Sequence, residues 1–203
     1  MRTSAVVAVL LLGLASAARA EPPPGDLYRQ SYAAEARGDY AGALEPLGRL
    51  GAAGGSYVAQ LRKGWLHYLA GRHALAADHY LRAAALEPAA VEARLGAMLP
   101  LMALRRWKDA ERVGEEVLAL APNDFTAVSR LAWTQYSQGQ WPRAEALYRR
   151  ALAAYPASAE MRAGLGWTLL KEGRNKEARE AFEAVLAFAP DFPSAREGLG
   201  LVP

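Results

Sequence analysis

Apolar residues recur along the chain at helical spacing, in segments that glycine or proline ends. In residues 125–158, one apolar stripe runs from Val128 to Tyr136, Gly139 interrupts it, and a second stripe runs from Ala144 to Pro156. Steps of three and four residues are typical of one face of an α-helix, while glycine and proline mark helix ends. The pattern therefore predicts two helices joined by a short turn, a helical hairpin.

This hairpin pattern repeats along the chain with a period of 34 residues. The repeating prolines are Pro88, Pro122, Pro156 and Pro190, and the repeating alanines are Ala76, Ala110, Ala144 and Ala178. An aromatic residue follows the alanine four positions later as Tyr80, Tyr148 and Phe182, whereas Gly114 takes its place once. No single hairpin can bury its apolar face alone, so the repetition predicts a stacked array.

The period, with its leucine-glycine, alanine, aromatic and proline positions, resembles the tetratricopeptide repeat (TPR) family. The resemblance implies an all-α fold, in which helix-turn-helix units stack into a right-handed superhelix, an α-solenoid. We predict a degenerate hairpin over 21–56, four units and a short capping helix over 193–203. The first to fourth units cover residues 57–90, 91–124, 125–158 and 159–192.

The second unit departs most from the repeat. Met98 stands where a small residue belongs, Pro100 lies inside the first helix, Arg105 replaces the turn glycine and Gly114 replaces the aromatic residue. We predict that Met98 fills the volume that Gly114 leaves free. The small residues at the position of Met98 in the other units are Gly64, Ala132 and Gly166. We expect each of them to face an alanine of the second helix.

Residues 1–20 have the pattern of a secretory signal. Arg2 precedes an apolar run, and Ala18-Arg19-Ala20 matches a small-residue cleavage site. An uncleaved anchor is the alternative, but Arg19 ends the run short of the roughly 20 apolar residues that span a bilayer. We expect cleavage after Ala20, no stable membrane span afterwards, and a periplasmic protein without cysteine whose stability depends on packing alone.

The charge balance argues against nucleic acid as a partner. Without Arg2 and Arg19, 22 basic residues stand against 21 acidic ones, and no basic stripe is present of the kind that displaces counterions from a phosphate backbone. We expect the partners to be other proteins of the cell envelope, with a homo-oligomer as a possibility.

The family resemblance also implies a concave channel that binds peptides, lined by the fifth, ninth and twelfth positions of each unit. These positions hold Leu61, Trp65 and Tyr68, then Leu95, Leu99 and Met102, then Ser129, Trp133 and Tyr136, then Ala163, Trp167 and Leu170. We expect an apolar, aromatic floor, edged by positive charge from Arg62 and Arg130. The basic and amide residues that clamp a carboxylate tail in the best-known peptide mode of the family are missing from these positions.

The tryptophans allow two interpretations, since aromatic stripes at helical spacing also pack helix against helix. Tryptophan is seldom fully buried and is enriched at interfaces, which favours presentation to a partner. We predict a non-catalytic scaffold or adaptor of the bacterial envelope that binds an apolar or aromatic segment. The alternative is a structural protein that assembles with itself through its weakly capped C-terminus.

Catalytic and metal chemistry find little support in the sequence. His67, His73 and His79 are separated by steps of six residues, which do not stack on one helix face, and no cysteine completes a metal shell. The serines and threonines of the third unit have no histidine in their own unit, and the glutamates of the second helices are expected to face solvent. We expect no enzyme, no metal and no cofactor.

Overall fold

The computed structural model describes residues 22–203, which form eleven α-helices and one short 3-10 helix, Gly51–Gly55. The α-helices are α1 Pro24–Glu35, α2 Tyr40–Gly48, α3 Tyr57–Leu69, α4 His73–Leu86, α5 Glu92–Ala103, α6 Trp107–Leu120, α7 Phe125–Ser137, α8 Trp141–Ala154, α9 Ala159–Lys171, α10 Asn175–Leu186 and α11 Pro193–Leu201. The predicted signal segment lies outside the described residues.

The helices stack as an α-solenoid, and the prediction of an all-α fold is confirmed. Each helix packs on the next, and the first helices α3, α5, α7, α9 and α11 also contact one another in sequence. They therefore form one layer of the array, and the second helices α4, α6, α8 and α10 form the other. None of the helices in residues 22–203 is long and apolar enough to cross a bilayer.

Aromatic rings of the second helices fit between glycines of two successive first helices. A Cβ added to Gly64 would lie 2.9 Å from the Tyr80 ring, and one added to Gly96 would lie 2.4 Å from it. The ring of Phe182 lies in the same way between Gly166 and Gly198, at 2.7 and 2.3 Å. At Gly64 and Gly166 the expectation that the small residue faces alanine is thus wrong, because each glycine makes room for a ring.

The second unit replaces this arrangement with aliphatic side chains. A Cβ on Gly114 would lie 2.8 Å from Met98 Cε and 2.7 Å from the Leu131 side chain. Met98 and Leu131 are both nearly fully buried. The predicted contact between Met98 and Gly114 is confirmed, and Leu131 of the third unit shares the volume. Arg105 adopts a φ of 55°, the left-handed conformation that the turn glycines of the other units adopt.

Four backbone carbonyls that precede the first helices are each capped by a side chain, 34 residues apart. Nitrogens of Gln60, Arg94 and Arg162 donate to the carbonyls of Gly54, Pro88 and Pro156, at 2.9, 2.9 and 2.6 Å. Val128 occupies the corresponding position of the third unit and cannot donate. There Arg150 of α8 donates to the carbonyl of Pro122 instead. Position four of the unit, where this family usually has tryptophan, is therefore a capping position in this chain.

Ion pairs join successive second helices on their outer side. Arg143 contacts Glu111 and Glu115, and the Arg174 side chain contacts Glu145 and Glu177. Side chains of Glu111 and Glu145 are only 16% and 17% exposed, so these two differ from the expectation of solvent-facing glutamates. Burial raises the pKa of Glu145, but hydrogen bonds from Arg149 and Arg174 outweigh it and leave that pKa lowered.

His79 on α4 gives the fold a predicted dependence on pH. Its ring stacks on His67 with centroids 5.2 Å apart, and its Nδ1 lies 2.8 Å from Gln60 Oε1. Burial, with smaller repulsion from His67 and Lys63, lowers the pKa of His79 to about 4. The unfolded chain binds this proton near pH 6.5 and the folded chain only near pH 4, so stability is complete above pH 6.5 and falls below it.

We expect the free energy of unfolding to fall by about 2 kcal/mol between pH 7 and pH 5 through this group. The His79→Asn variant keeps a donor toward Gln60 but cannot titrate, so its decline over this range should be smaller by that amount. Urea unfolding at both pH values measures the difference. Equal declines in the two proteins would contradict the prediction. The range lies above the ordinary pKa values of Asp and Glu side chains.

Candidate functional site

The groove is the concave surface lined by the predicted positions of the first helices, and its rings meet solvent to different degrees. Trp65 is 37% exposed and Trp133 is 50% exposed, while Tyr32, in the same register on α1, is 55% exposed. Trp167 is half-buried. The tryptophans therefore combine the two roles that the sequence left open, since each packs along one edge and two of them present much of the indole to solvent.

Hydrogen bonds fix two of the three indoles. Trp65 Nε1 donates to Glu35 Oε1 at 2.6 Å, and Trp167 Nε1 donates to Ser194 Oγ at 2.8 Å. Among the hydrogen bonds of residues 22–203, none involves the Trp133 indole, which stacks on Tyr136 with centroids 5.6 Å apart. Trp133 is therefore the groove indole with the most exposed surface and with an N–H free to donate to a partner.

An N-terminal pocket of about 690 Å³ lies where α1, α3 and α5 meet. Its lining includes two carboxylates, Glu35 and Glu92, the Arg62 side chain and four aromatic side chains, which are Tyr32, Tyr57, Trp65 and Tyr80. Leu61 and Val58 complete its apolar wall. The Tyr57 hydroxyl donates to Glu92 Oε2 at 3.3 Å. Aromatic rings and acidic groups thus share one concavity.

A smaller C-terminal pocket of about 280 Å³ lies between α7, α9 and α11 and is mainly apolar. Its walls come from Trp133, Tyr136, Met161, Trp167 and Phe192. Ser129, Ala163 and Glu160 also line it, although Ala163 is itself almost fully buried. A cavity of this size accommodates one large apolar side chain, and the aromatic walls favour burial of such a group.

The middle of the groove is shallower. Leu95 and Met102 are half-buried and pack on the core of the second unit, and Leu99 is also half-buried. Tyr68 stacks on Trp65 with centroids 6.0 Å apart. Leu170 is half-buried and packs on the C-terminal core cluster. Leu95, Leu99 and Met102 lie on α5, between the helices on which the two pockets centre, and give the groove an apolar floor there.

Arg62 does not edge the groove with free positive charge, which corrects that part of the sequence expectation, whereas Arg130 keeps its charge. Arg62 is 7% exposed, forms an ion pair with Glu35, donates to Ser31 Oγ and lies 3.8 Å over the Tyr32 ring. Arg130 is half-buried and donates to the carbonyl of Leu95. Burial lowers the pKa of Arg130. Both guanidinium groups therefore have internal partners.

The repeat explains why arginine occurs at these two positions. Gly96, Gly164 and Gly198 hold the same position, and in each case the preceding unit carries an aromatic ring that the glycine contacts. Arg62 and Arg130 follow units with Leu47 and Gly114 at the aromatic position, neither of which has a ring. A large side chain thus occupies the position wherever the preceding ring is missing, so the arginines have a packing role in addition to their position in the groove.

The structure adds residues to the groove that the sequence analysis did not name. Glu35 follows Tyr32 by three residues, as Tyr68 follows Trp65, so aligning the degenerate hairpin on its turn glycine, Gly38, with Gly71 would have found it. Val58, Glu92 and Glu160 share the second position of their units and line the pockets. Positions two, five, nine and twelve lie on one helix face. Phe192 could not be found from this register, because it precedes the capping helix.

The described residues include no cluster of side chains that could bind a metal ion. Within residues 22–203, no three His, Cys, Asp or Glu side chains are placed together so that they could hold a metal ion. His73 lies against Tyr68, with ring centroids 5.5 Å apart, and His67 and His79 stack on each other. The geometry of the groove is that of a surface for binding.

Comparison with known proteins decides the family. A model described as "Tetratricopeptide repeat" matches residues 95–159, 129–193 and 163–202, which together extend over more than half of the chain. The chain belongs to the tetratricopeptide repeat family. Members of this family are non-catalytic interaction scaffolds, and this TPR protein is a scaffold for protein–protein interaction. No curated protein matches it.

Solved structures share the fold of this TPR protein at low sequence identity. MamA residues 41 to the end, from Desulfovibrio magneticus RS-1, is 22% identical with a TM-score of 0.77, over 86% of this chain and 99% of that one. A tetratricopeptide repeat protein from Parabacteroides merdae ATCC 43184 is 18% identical with a TM-score of 0.80, over 87% and 70%. TTC0263, a thermophilic TPR protein of Thermus thermophilus, is 19% identical with a TM-score of 0.64, over 88% and 97%. These likenesses show the fold.

Proposed function

We propose that this TPR protein is an adaptor of the bacterial cell envelope that binds an apolar or aromatic segment of another protein in its groove. The observation that carries the proposal is the exposure of Trp133, half of whose surface faces solvent beside the apolar C-terminal pocket. A large aromatic side chain that is exposed at the centre of a concavity is typical of a binding anchor. The groove supplies the apolar floor that an extended or helical segment needs.

The expected affinity is moderate. Covering about 100 Å² on each of two exposed indoles at about 25 cal/mol per Å² contributes roughly 5 kcal/mol before the costs of association. The floor residues and the pockets add to this gain. Micromolar and exchangeable binding is therefore the expectation, which suits an adaptor.

The proposed periplasmic location depends on residues 1–20, which have the charge, the apolar run and the small residues of a cleavable signal. Expression of the full chain in a Gram-negative host is expected to give a periplasmic product that begins at Glu21. Intact-mass spectrometry of the protein from each cell fraction measures where the product is located and at which residue it begins. A cytoplasmic product of full mass would contradict the proposal. Retention of residues 1–20 on a membrane-bound product would support the anchor alternative.

Self-assembly through the C-terminus has less support than binding in the groove. Helix α11 covers the Phe182 ring through Gly198, and Val202 is 8% exposed. Arg179 donates to the carbonyl oxygens of Val202 and Pro203 at 3.2 and 3.0 Å. Two large apolar side chains toward this end of the array stay exposed, Phe188 at 52% and Leu201 at 60%. The capping helix thus closes most of the end.

The proposal predicts that Trp133→Ala weakens partner binding about tenfold or more while the protein stays folded. A photoreactive side chain at Leu99, in the floor between the pockets, would first capture the partner in cells. The captured segment is then synthesised, and its affinity for both proteins is measured by fluorescence anisotropy.

The matched control is Trp141→Ala, which removes an indole from the outer helix α8 instead of the groove. This control should bind the segment as the unchanged protein does. Circular dichroism verifies that both variants are folded. Equal affinity of the Trp133→Ala variant and the unchanged protein would show that the segment does not use the groove.

A further inference from the structure

We propose that the partner segment carries an arginine or lysine whose side chain enters the N-terminal pocket, about eight residues along the segment from the apolar side chain in the C-terminal pocket. The inference rests on the proposed function and names the chemistry of the partner. Its basis is the combination of aromatic rings and an uncompensated carboxylate in the N-terminal pocket, together with the apolar lining of the other pocket.

The aromatic lining of the N-terminal pocket suits a cation. Tyr32, Tyr57 and Trp65 border one cavity, and tyrosine and tryptophan faces attract guanidinium and ammonium groups. The pocket already contains one such contact, because the Arg62 guanidinium lies 3.8 Å over the Tyr32 ring. Tyr57 and Trp65 have no cation over their rings among the described residues. These two rings are the ones available to a side chain from a partner.

The charges of the pocket do not cancel. Arg62 neutralises Glu35. Glu92 is exposed and forms no ion pair within residues 22–203, and its one hydrogen bond comes from the neutral Tyr57 hydroxyl. One negative charge therefore remains at the pocket. Burial and the charge of Glu92 both raise the pKa of Tyr57, as a negative potential at this position requires.

The C-terminal pocket, at the other end of the groove, favours an apolar side chain. The C-terminal pocket is mainly apolar, with aromatic walls and Glu160 at its edge. Arg130 lies on α7 between the pockets, where it donates to the carbonyl of Leu95 and keeps its positive charge. Glu160, like Glu92, forms no ion pair within residues 22–203, so the two ends differ in that the lining of the C-terminal pocket is the more apolar.

The separation follows from the stacking of the first helices. The N-terminal pocket centres on α3 and the C-terminal pocket on α9, which are three steps apart along the layer. Neighbouring helix axes lie about 8 to 10 Å apart, so the pockets are roughly 25 Å apart. An extended chain covers about 3.3 Å per residue, which gives about eight residues.

Synthetic peptides test the inference with the full chain. The probe is a fluorescent peptide with arginine and phenylalanine eight positions apart, joined by glycine and serine. The matched peptide replaces arginine with citrulline, which keeps the shape and removes the charge. We expect the arginine peptide to bind at least fivefold more tightly at low salt. The Glu92→Gln variant should reduce this ratio to less than two, whereas the control Glu180→Gln, on the outer helix α10, should preserve it.

The outcomes separate the inference from the proposed function. Equal binding of the two peptides, or a ratio that Glu92→Gln leaves unchanged, overturns the inference. If Trp133→Ala weakens both peptides in that case, the groove still binds apolar segments and the proposed function stands. If neither peptide binds, or if Trp133→Ala affects neither, both proposals are overturned. A peptide with only three residues between its arginine and its phenylalanine should have the affinity of the citrulline peptide, because its two side chains cannot reach both pockets.

Discussion

Phe182→Ala is expected to lower the free energy of unfolding by about 3 to 5 kcal/mol. The ring is fully buried, fits between Gly166 and Gly198, and packs edge-on against Trp167 with centroids 5.6 Å apart. Two glycines face the vacated volume and have no side chain with which to fill it. The cavity therefore cannot collapse easily, which is the condition under which truncation costs most.

The loss should be local, because repeat units interact only with their neighbours. Amide hydrogen exchange is expected to accelerate in α9, α10 and α11, while α1 and α2 keep their protection. The matched control is Phe188→Ala, which removes the same ring six residues later, at a site that is 52% exposed. It should change stability by less than about 0.5 kcal/mol. Similar losses in both variants, measured by guanidinium unfolding, would contradict this account of the packing.

Glu35→Gln is expected to lower the free energy of unfolding by about 3 kcal/mol. The change leaves the Arg62 guanidinium without a counter-charge, and Arg62 is only 7% exposed. The two carboxylate oxygens accept from Trp65 and from Arg62, and the single amide oxygen can serve only one of them, so the change removes one acceptor together with the charge. Replacing both partners, as Glu35→Gln with Arg62→Met, should restore most of the loss, since an apolar side chain can occupy the volume of the arginine without a charge.

The exposed Glu45 of α2 supplies the control, because Glu45→Gln makes the same chemical change away from any ion pair of the described residues. Urea unfolding of the unchanged protein, the two single variants and the double variant gives the coupling between Glu35 and Arg62 as a double-mutant cycle. A loss in Glu35→Gln no larger than in Glu45→Gln would show that the ion pair contributes nothing to stability. The wall of the N-terminal pocket would then not depend on it.

The two results bear on function as well as stability. Phe182 and Gly198 hold the capping helix that supplies Phe192 and Ser194 to the C-terminal pocket. Arg62 and Glu35 hold the Trp65 indole at the other pocket. Each pocket therefore depends on a buried contact behind it. Variants that remove those contacts should not be used to test binding, which is why the binding experiments use Trp133 and Glu92.

Much of the fold was predictable because the period of 34 residues specifies it several times over. Apolar spacing predicted the helices, glycine and proline predicted their ends, and the stacking followed from faces that no single hairpin can bury. The partner of the small residues Gly64 and Gly166 was predicted wrongly as alanine. That contact joins a glycine to a ring in the following helix of the same unit, and the same ring contacts a glycine of the next unit, so helical spacing within one segment carries no information about it.

The groove was predictable only in part, and the register explains which part. Family resemblance gave the fifth, ninth and twelfth positions, and the exposure of Trp65 and Trp133 agrees with that register. The sequence could not show how far each indole is covered. Trp167 is held by Ser194 from the capping helix, and that contact depends on how the last helix packs.

By itself, the sequence determined the repeat, the family, the helices and the register of the groove, because local spacing and turn chemistry suffice for these. Only the tertiary structure decided that Arg62 is buried beside Glu35, that Arg130 donates to a carbonyl one unit away, and that Glu92 keeps its charge at a pocket. The physical reason is that a charge is free or compensated according to its neighbours in space. In a stacked array those neighbours lie about one unit, some 30 residues, away along the chain.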